Sequence, residues 1–446
     1  MDSATDRTPN AGTAATPETP DVLVIGGGPA GSTAAALLAR KGWRVVVLEK
    51  ARHPRFHIGE SLLPMNIPIL ERLGVLEQVR AIGVLKLGAD FPADDGNFNV
   101  FDFRRTMRGE PDYAFHVKRE EFDQLLFEHA RACGADARDG TKVDAVAFDA
   151  DGAITVSAGQ ARLRPRYLLD ASGRDAFLGG KLGLKRRNPK HASAAVFSHY
   201  RGVRRREGRD AGNVSIYRHE HGWIWLIPLR DGSMSVGAVC FPDSLKQRRG
   251  DSEGFLLRTL ESVPDVAERM RGAERVAPVH VTGNYAYDCT RMHGRHWSLV
   301  GDAYSFVDPM FSSGVFLAMH SAEQAADMVD AALREPARER ALQRDLQRRL
   351  DAGLDEFKWF IYRFTSPAMK HLFANPRNVW RVEEAVVSML AGDVFDARPV
   401  LRRLRVFRAI YALTTLGMAP RAWRAWRRRR RQLSVEVRGE TLQRED

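Results

Sequence analysis

The apolar run Asp21-Val-Leu-Val-Ile25 stops at Gly26-Gly27-Gly28-Pro29-Ala30-Gly31, and this junction constrains the fold more than any other stretch of the chain. Residues 32–41 continue with Ala and Leu at helical spacing, and residues 43–48 form a second apolar run that ends on Glu49. Strand, glycine turn, helix and second strand make the βαβ unit that binds a dinucleotide. Gly26, Gly28 and Gly31, with the small Ala30, allow a tight turn that brings backbone N–H groups against a pyrophosphate at a helix N-terminus. Glu49 stands about 20 residues further on, where a carboxylate reaches a ribose hydroxyl. A glycine fingerprint alone is weak evidence. Strand, helix and acid in register make it specific.

Two later segments suit the same ligand. Tyr167-Leu-Leu-Asp170-Ala-Ser-Gly173-Arg174 and Trp297-Ser-Leu-Val300-Gly301-Asp302-Ala303 each read as a short strand ending in an acid, the second leading into an apolar helix from Val315. An acid placed there can hold the ribityl or pyrophosphate part of the ligand. Residues 186–280 are rich in Val, Ile and Trp with alternation and predict antiparallel sheet. From Ala337 the pattern turns helical, with Leu350, Leu354, Phe357, Ile361 and Phe364 on one face. The chain shows no internal repeat.

At this point the motifs resemble a known family. The glycine turn, His57-Ile58-Gly59-Glu60-Ser61-Leu62-Leu63-Pro64, the segment from His116 through Arg119 to Asp123, and Gly301-Asp302 are similar to the flavin monooxygenase and geranylgeranyl-reductase superfamily. Two narrower motifs resemble flavin-dependent halogenases: Trp223-x-Trp225-x-Ile227-Pro228 and Phe306-x-x-Pro309-x-x-Ser312-x-Gly314. The resemblance covers about residues 20–400. It implies an α/β fold, with a Rossmann-like FAD-binding domain of the glutathione-reductase type, an antiparallel substrate sheet and a helical C-terminal region. The expected division is a disordered tail (1–20), a discontinuous FAD-binding domain (21–75, 113–185 and 281–335), a substrate-side sheet (76–112 and 186–280) and a helical region with a basic tail (336–446).

The resemblance also implies chemistry. Non-covalent FAD would be bound through Gly26, Gly28, Ala30, Gly31, Glu49, Arg119 and Asp302, and supplied reduced by a separate flavin reductase, since no second glycine-rich βαβ unit is visible. Oxygen and chloride or bromide would then give hypohalous acid. Lys86 occupies the position of the lysine that receives it in family members, either by hydrogen bonding or as a haloamine. Period-2 alternation groups Leu85, Leu87, Ala89 and Phe91 on one strand face and puts Lys86 on the other with Val84 and Gly88, which also fits a solvated strand lysine. Ser313 and Gly314 are assigned to the halide, through backbone N–H groups and not side-chain chemistry. Trp223 and Trp225 would part substrate from flavin; as residues alone they also fit core aromatics of a strand.

Halogenases of free tryptophan carry a glutamate immediately before the motif serine, and here that position is Phe311. The expected substrate is therefore an electron-rich aromatic, phenolic or pyrrolic, free or bound to an acyl carrier protein, in secondary-metabolite or pigment synthesis. Two alternatives stay open: an FAD monooxygenase or dehydrogenase on the same scaffold, and a non-catalytic flavoprotein of a biosynthetic assembly.

Charge and cysteine content narrow the partners. The net charge of +12 equals the contribution of residues 397–435, which hold twelve arginines, no lysine and no acid. A nucleic-acid protein would spread basic surface over its fold, so none is expected. The basic end, amphipathic over residues 400–416 with apolar 401, 404, 407, 411 and 412, suits peripheral contact with an anionic membrane or an acidic partner. Three scattered cysteines form neither a disulfide framework nor a metal-ligand pair, so a cytoplasmic setting without a metal is expected.

Overall fold

The computed structural model describes residues 17–93, 97–150, 152–188, 193–248, 250–283 and 286–434. The βαβ unit forms as the pattern predicts: strand Val22–Ile25, helix Pro29–Arg40 and strand Val45–Leu48, with both strands wholly buried. They sit inside a six-stranded sheet, ordered His293–Gly294, Trp297–Leu299, Tyr167–Asp170, Val22–Ile25, Val45–Leu48, Asp136–Arg138. All pairings but the first are parallel. Continuous Val/Leu runs are what a sheet covered on both faces requires. Helix Pro29–Arg40 packs on helices Ser313–Arg334 and Arg119–Ala132.

A larger sheet carries the other half of the site. Its order places strand Gly222–Pro228 between Met234–Cys240 and Val214–His219, with Ala194–Arg201 beyond the former and Gly88–Pro92 beyond the latter. Alternation along Gly222–Pro228 serves two masters. Trp223, Trp225 and Ile227 belong to the main core, whereas Ile224 and Leu226 enter a second core with Val236 and Leu256. Gly237 lies opposite Trp225, and a Cβ there would come within 2.3 Å of the indole, so only glycine lets the ring lie across the neighbouring strand. In the C-terminal helical region, Leu350, Leu354, Phe357, Ile361 and Phe364 are all buried, as their spacing predicts.

Two sequence expectations need correction. The expected tail of residues 1–20 falls mostly on residues 1–16, outside the described residues, but its last residues are held in place. Glu18 donates its N–H to Arg162 O at 2.9 Å, accepts from Arg164 N at 2.7 Å and pairs with Arg138 at 2.6 Å. The second concerns Lys86. Strand Val84–Lys86 pairs with Ala114–His116, while Gly88–Pro92 belongs to the large sheet. The chain passes from one sheet to the other at Leu87, which resets the faces, so Leu85 is 46% exposed and Lys86 only 1%. No helix among the described residues is long and apolar enough to cross a membrane.

Candidate functional site

The dinucleotide turn, the tryptophan pair and the 306–314 segment line one cavity of about 660 Å³. One wall is the glycine turn. Gly26 has φ +100° and its Cβ would sit 2.4 Å from Ala171 O, while a Cβ on Gly31 would lie 1.8 Å from Gly26 O. Both glycines are therefore required by the protein's own packing. Gly28 differs: only Arg55 Nη2, at 3.4 Å, lies near its Cβ position, and the residue faces the cavity. Its smallness leaves room for a ligand at the start of the helix, whose first-turn N–H groups have no intrahelical acceptor.

Glu49 lines the cavity and is fixed by the backbone, accepting from Gly27 N at 2.7 Å and Ala51 N at 2.9 Å. Arg119 makes a bidentate pair with Asp123, 2.7 and 2.9 Å, and donates a third bond to Ile58 O at 2.7 Å. Asp123 also takes Arg55 at 3.2 Å. The buried Asp123 thereby holds two guanidinium groups at the cavity edge, a suitable setting for a pyrophosphate.

The two acids that end strands part company. Asp170 is fully buried and spent on the protein, accepting from Ser172 N at 2.9 Å and Leu178 N at 2.7 Å, so it shapes the turn and does not meet a ligand. Asp302 lines the cavity, and burial raises its pKa to about 6 against the opposing charges of Arg174 and Arg119. Half-buried acid facing open space suits a hydroxyl-rich chain such as ribityl.

Trp223 and Trp225 also line the cavity, with ring centroids 5.7 Å apart, and Trp225 Nε1 donates to Ser235 Oγ at 3.1 Å. Asp308 caps the turn Pro309–Phe311 by accepting from Met310 N at 3.1 Å, and Pro309 and Met310 line the same cavity. Ser312 then adopts φ +55°, ψ +21°, and helix Ser313–Arg334 begins. This left-handed residue turns Ser312 and Gly314 to the cavity, while the Ser313 side chain is buried off it. A Cβ on Gly314 would meet nothing closer than 3.7 Å, so the missing side chain again keeps ligand space open. Phe311 is buried and packs edge-on against Phe364 at 5.6 Å.

Lys86 stands one side chain behind the cavity. Its Nζ donates to Ser61 Oγ at 2.9 Å and to Leu62 O at 3.0 Å, and lies 5.3 Å from the Phe103 ring centroid. Ser61 itself lines the cavity. Burial lowers the Lys86 pKa to about 7, which makes the free amine accessible near neutrality.

Several residues of the site escaped the sequence reading. Glu60 also lines the cavity and accepts from His199 Nε2 at 2.8 Å across 139 positions of sequence. Burial pulls the His199 pKa down, but the hydrogen bond and charge of Glu60 prevail and raise it. Arg55 and Arg174 add positive charge to the FAD side of the cavity. Arg174 ends the Tyr167–Arg174 segment that suits the ligand, whereas no residue pattern marks Arg55. His116 is buried and hydrogen-bonds Gly212 O at 2.9 Å.

The fold and this cavity define an FAD-binding flavoprotein, and residues 19–355 match the family of FAD-binding domains. A tryptophan 2-halogenase of Chondromyces crocatus is 36% identical over 329 residues, covering 71% of this chain and 62% of the relative's own length. A 1H-pyrrole-2-carbonyl-[peptidyl-carrier protein] chlorinase of Pseudomonas fluorescens is 32% identical over 340 residues, covering 70% of this chain and 76% of the relative. Among solved structures, a flavoprotein/dehydrogenase of Cytophaga hutchinsonii superposes with TM-score 0.82 at 27% identity, covering 90% of this chain and all of that one. The flavin-dependent halogenase CmlS gives TM-score 0.74 at 28% identity, covering 89% and 78%. The chain belongs to the flavin-dependent halogenases within the FAD-binding family.

Proposed function

We propose that the protein halogenates an electron-rich aromatic, phenolic or pyrrolic, either free or presented on a carrier protein, using chloride or bromide. The observation that carries this reading is the single cavity shared by the dinucleotide turn, the tryptophan pair and the 306–314 segment, with a buried lysine one side chain behind it. FAD, delivered reduced by a separate reductase, would supply oxygen activation and halide oxidation. The residues of the cradle fit it: Gly28 leaves the approach to the helix N-terminus open, Arg55 and Arg119 stand at its edge, and Asp302 faces the open space.

The chain's own part is placement and exclusion of water. The first N–H groups of helix Ser313–Arg334 point from its N-terminus and provide donors for a halide, with Ser312 and Gly314 on the cavity side. Trp223 and Trp225 form a wall that keeps an aromatic substrate away from the flavin side. Hypohalous acid reaching Ser61 meets the Lys86 amine. With a pKa near 7 the neutral amine attacks the halogen, forming an N–halogen bond and releasing water, and the halogen passes to the aromatic carbon. Phe311 stands where free-tryptophan halogenases carry a glutamate, and this departure favours phenols and pyrroles over free tryptophan.

The test is incubation with reduced FAD, oxygen, bromide and a panel of phenols, pyrrole-2-carboxyl thioesters and tryptophan, read as halide-dependent product mass. The second reading, a monooxygenase or dehydrogenase, is favoured by the superposition on a flavoprotein/dehydrogenase. It predicts a product whose mass is the same with and without halide.

A further inference from the structure

Helix Ala419–Ser434 is turned the wrong way for a helix held by a core. Its inward residues are Ala422, Ala425 and Arg429, whereas Trp423 and Trp426 are each 55% exposed. Trp423, Trp426, Arg427 and Arg430 fall at i, i+3, i+4 and i+7 and share the outer face. The preceding helix, Arg398–Gly417, changes character along its length. Val400, Leu404 and Phe407 are buried, but Leu413 and Leu416 near its end are 69% and 72% exposed. The apolar stripe expected to run on to residue 412 thus ends at Tyr411, and the apolar residues after it face outward.

The same surface is dense in charge. Residues 397–435 contain twelve arginines and no acid. Arg408 pairs with Glu356 and Arg428 with Glu220, but Arg421, Arg424, Arg427 and Arg430 have no ion pair with any described carboxylate. Two of these arginines lie over the exposed indoles, Arg427 over Trp423 at 4.4 Å and Arg430 over Trp426 at 5.4 Å. Guanidinium and indole side by side are the pair that a headgroup region accommodates: phosphate for the cation, the acyl boundary for the ring.

We propose that the outer face of these two helices docks the protein peripherally on an anionic lipid surface, with Trp423 and Trp426 at headgroup level. Arginines alone would serve an acidic protein equally well. Exposed leucines and tryptophans among arginines that pair with no described carboxylate favour a fluid surface that needs no shape complementarity. The inference is independent of the halogenation reading.

The full-length, FAD-loaded protein is sedimented with phosphatidylcholine vesicles and with vesicles containing roughly one-third phosphatidylglycerol. Binding is expected only to the anionic vesicles, with a blue shift of tryptophan emission, and should weaken as salt is raised. Trp423→Ala with Trp426→Ala keeps the charge and should lower partitioning at least about tenfold. Arg424→Gln with Arg427→Gln and Arg430→Gln should lower it by roughly fivefold per residue. Retained flavin absorbance and helical circular dichroism show that each variant is folded. Equal binding to both vesicle types, no binding to either, or binding to an acidic apo-acyl carrier protein but not to vesicles would overturn the proposal. So would a dimer that the tryptophan variants dissolve while vesicle binding is absent.

Discussion

Replacing Lys86 with methionine removes the halogen acceptor and, by the same stroke, a buried charge. Burial takes the ammonium from 10.5 to about 7 with no carboxylate to offset it. At about 1.4 kcal/mol per pH unit this is a penalty on the order of 4–5 kcal/mol. Methionine fills similar volume but deprives Ser61 Oγ and Leu62 O of a donor, at a cost of about 1 kcal/mol each. The variant should therefore be more stable than the parent by about 2–3 kcal/mol at pH 6. The pH dependence follows from linkage. Below about pH 7 folded and unfolded lysine both carry the proton, so the folded state bears the whole penalty. Between about 7 and 10.5 the folded amine is neutral while the unfolded one still binds a proton, so the parent gains stability as pH rises. Urea denaturation from pH 6 to 10 should show the advantage of Lys86→Met shrinking and then reversing. A variant less stable than the parent at pH 6, or an unchanging difference, would refute the reasoning.

Gly28→Val should abolish FAD uptake while leaving the apoprotein folded, because nothing but Arg55 lies near its Cβ; Gly31→Ala, 1.8 Å from Gly26 O, should instead destabilise the fold, and thermal melts with flavin titration separate the two. Asp302→Asn should weaken FAD binding roughly tenfold, and parent affinity should fall as pH drops below about 6 and the carboxylate is protonated, measured by flavin fluorescence. Ser313→Ala should be mild because that side chain is off the cavity, whereas Gly314→Val should raise the halide concentration needed for product or end activity. The reverse order would count against backbone donors.

What was legible in the sequence was local or repeated in pattern. The βαβ unit, the tryptophans two apart on one strand face and the helical stripe from Leu350 to Phe364 each follow from spacing alone. For Lys86, alternation predicts the wrong surroundings. Alternation assumes one continuous strand, and a sheet change at Leu87 leaves no mark in residue type. Asp170 and Asp302 have similar sequence settings and opposite fates, decided by whether the following turn folds back onto the carboxylate. That Ser312 lines the cavity while the Ser313 side chain is buried off it depends on one left-handed residue, which serine does not advertise. Glu60 with His199, and Gly237 beneath Trp225, are contacts between strands and loops distant in sequence, which only the fold brings together.

The central claim is that oxidising power made at the flavin is handed to Lys86 as halogen. It is tested by following flavin reoxidation and halogenated product in one reaction, with reduced FAD, oxygen, bromide and an aromatic substrate, for the parent and for Lys86→Met. The account predicts equal reoxidation in both and product only in the parent. Halogenated product at the parental rate from Lys86→Met, or a parental product whose mass does not depend on halide, would contradict it.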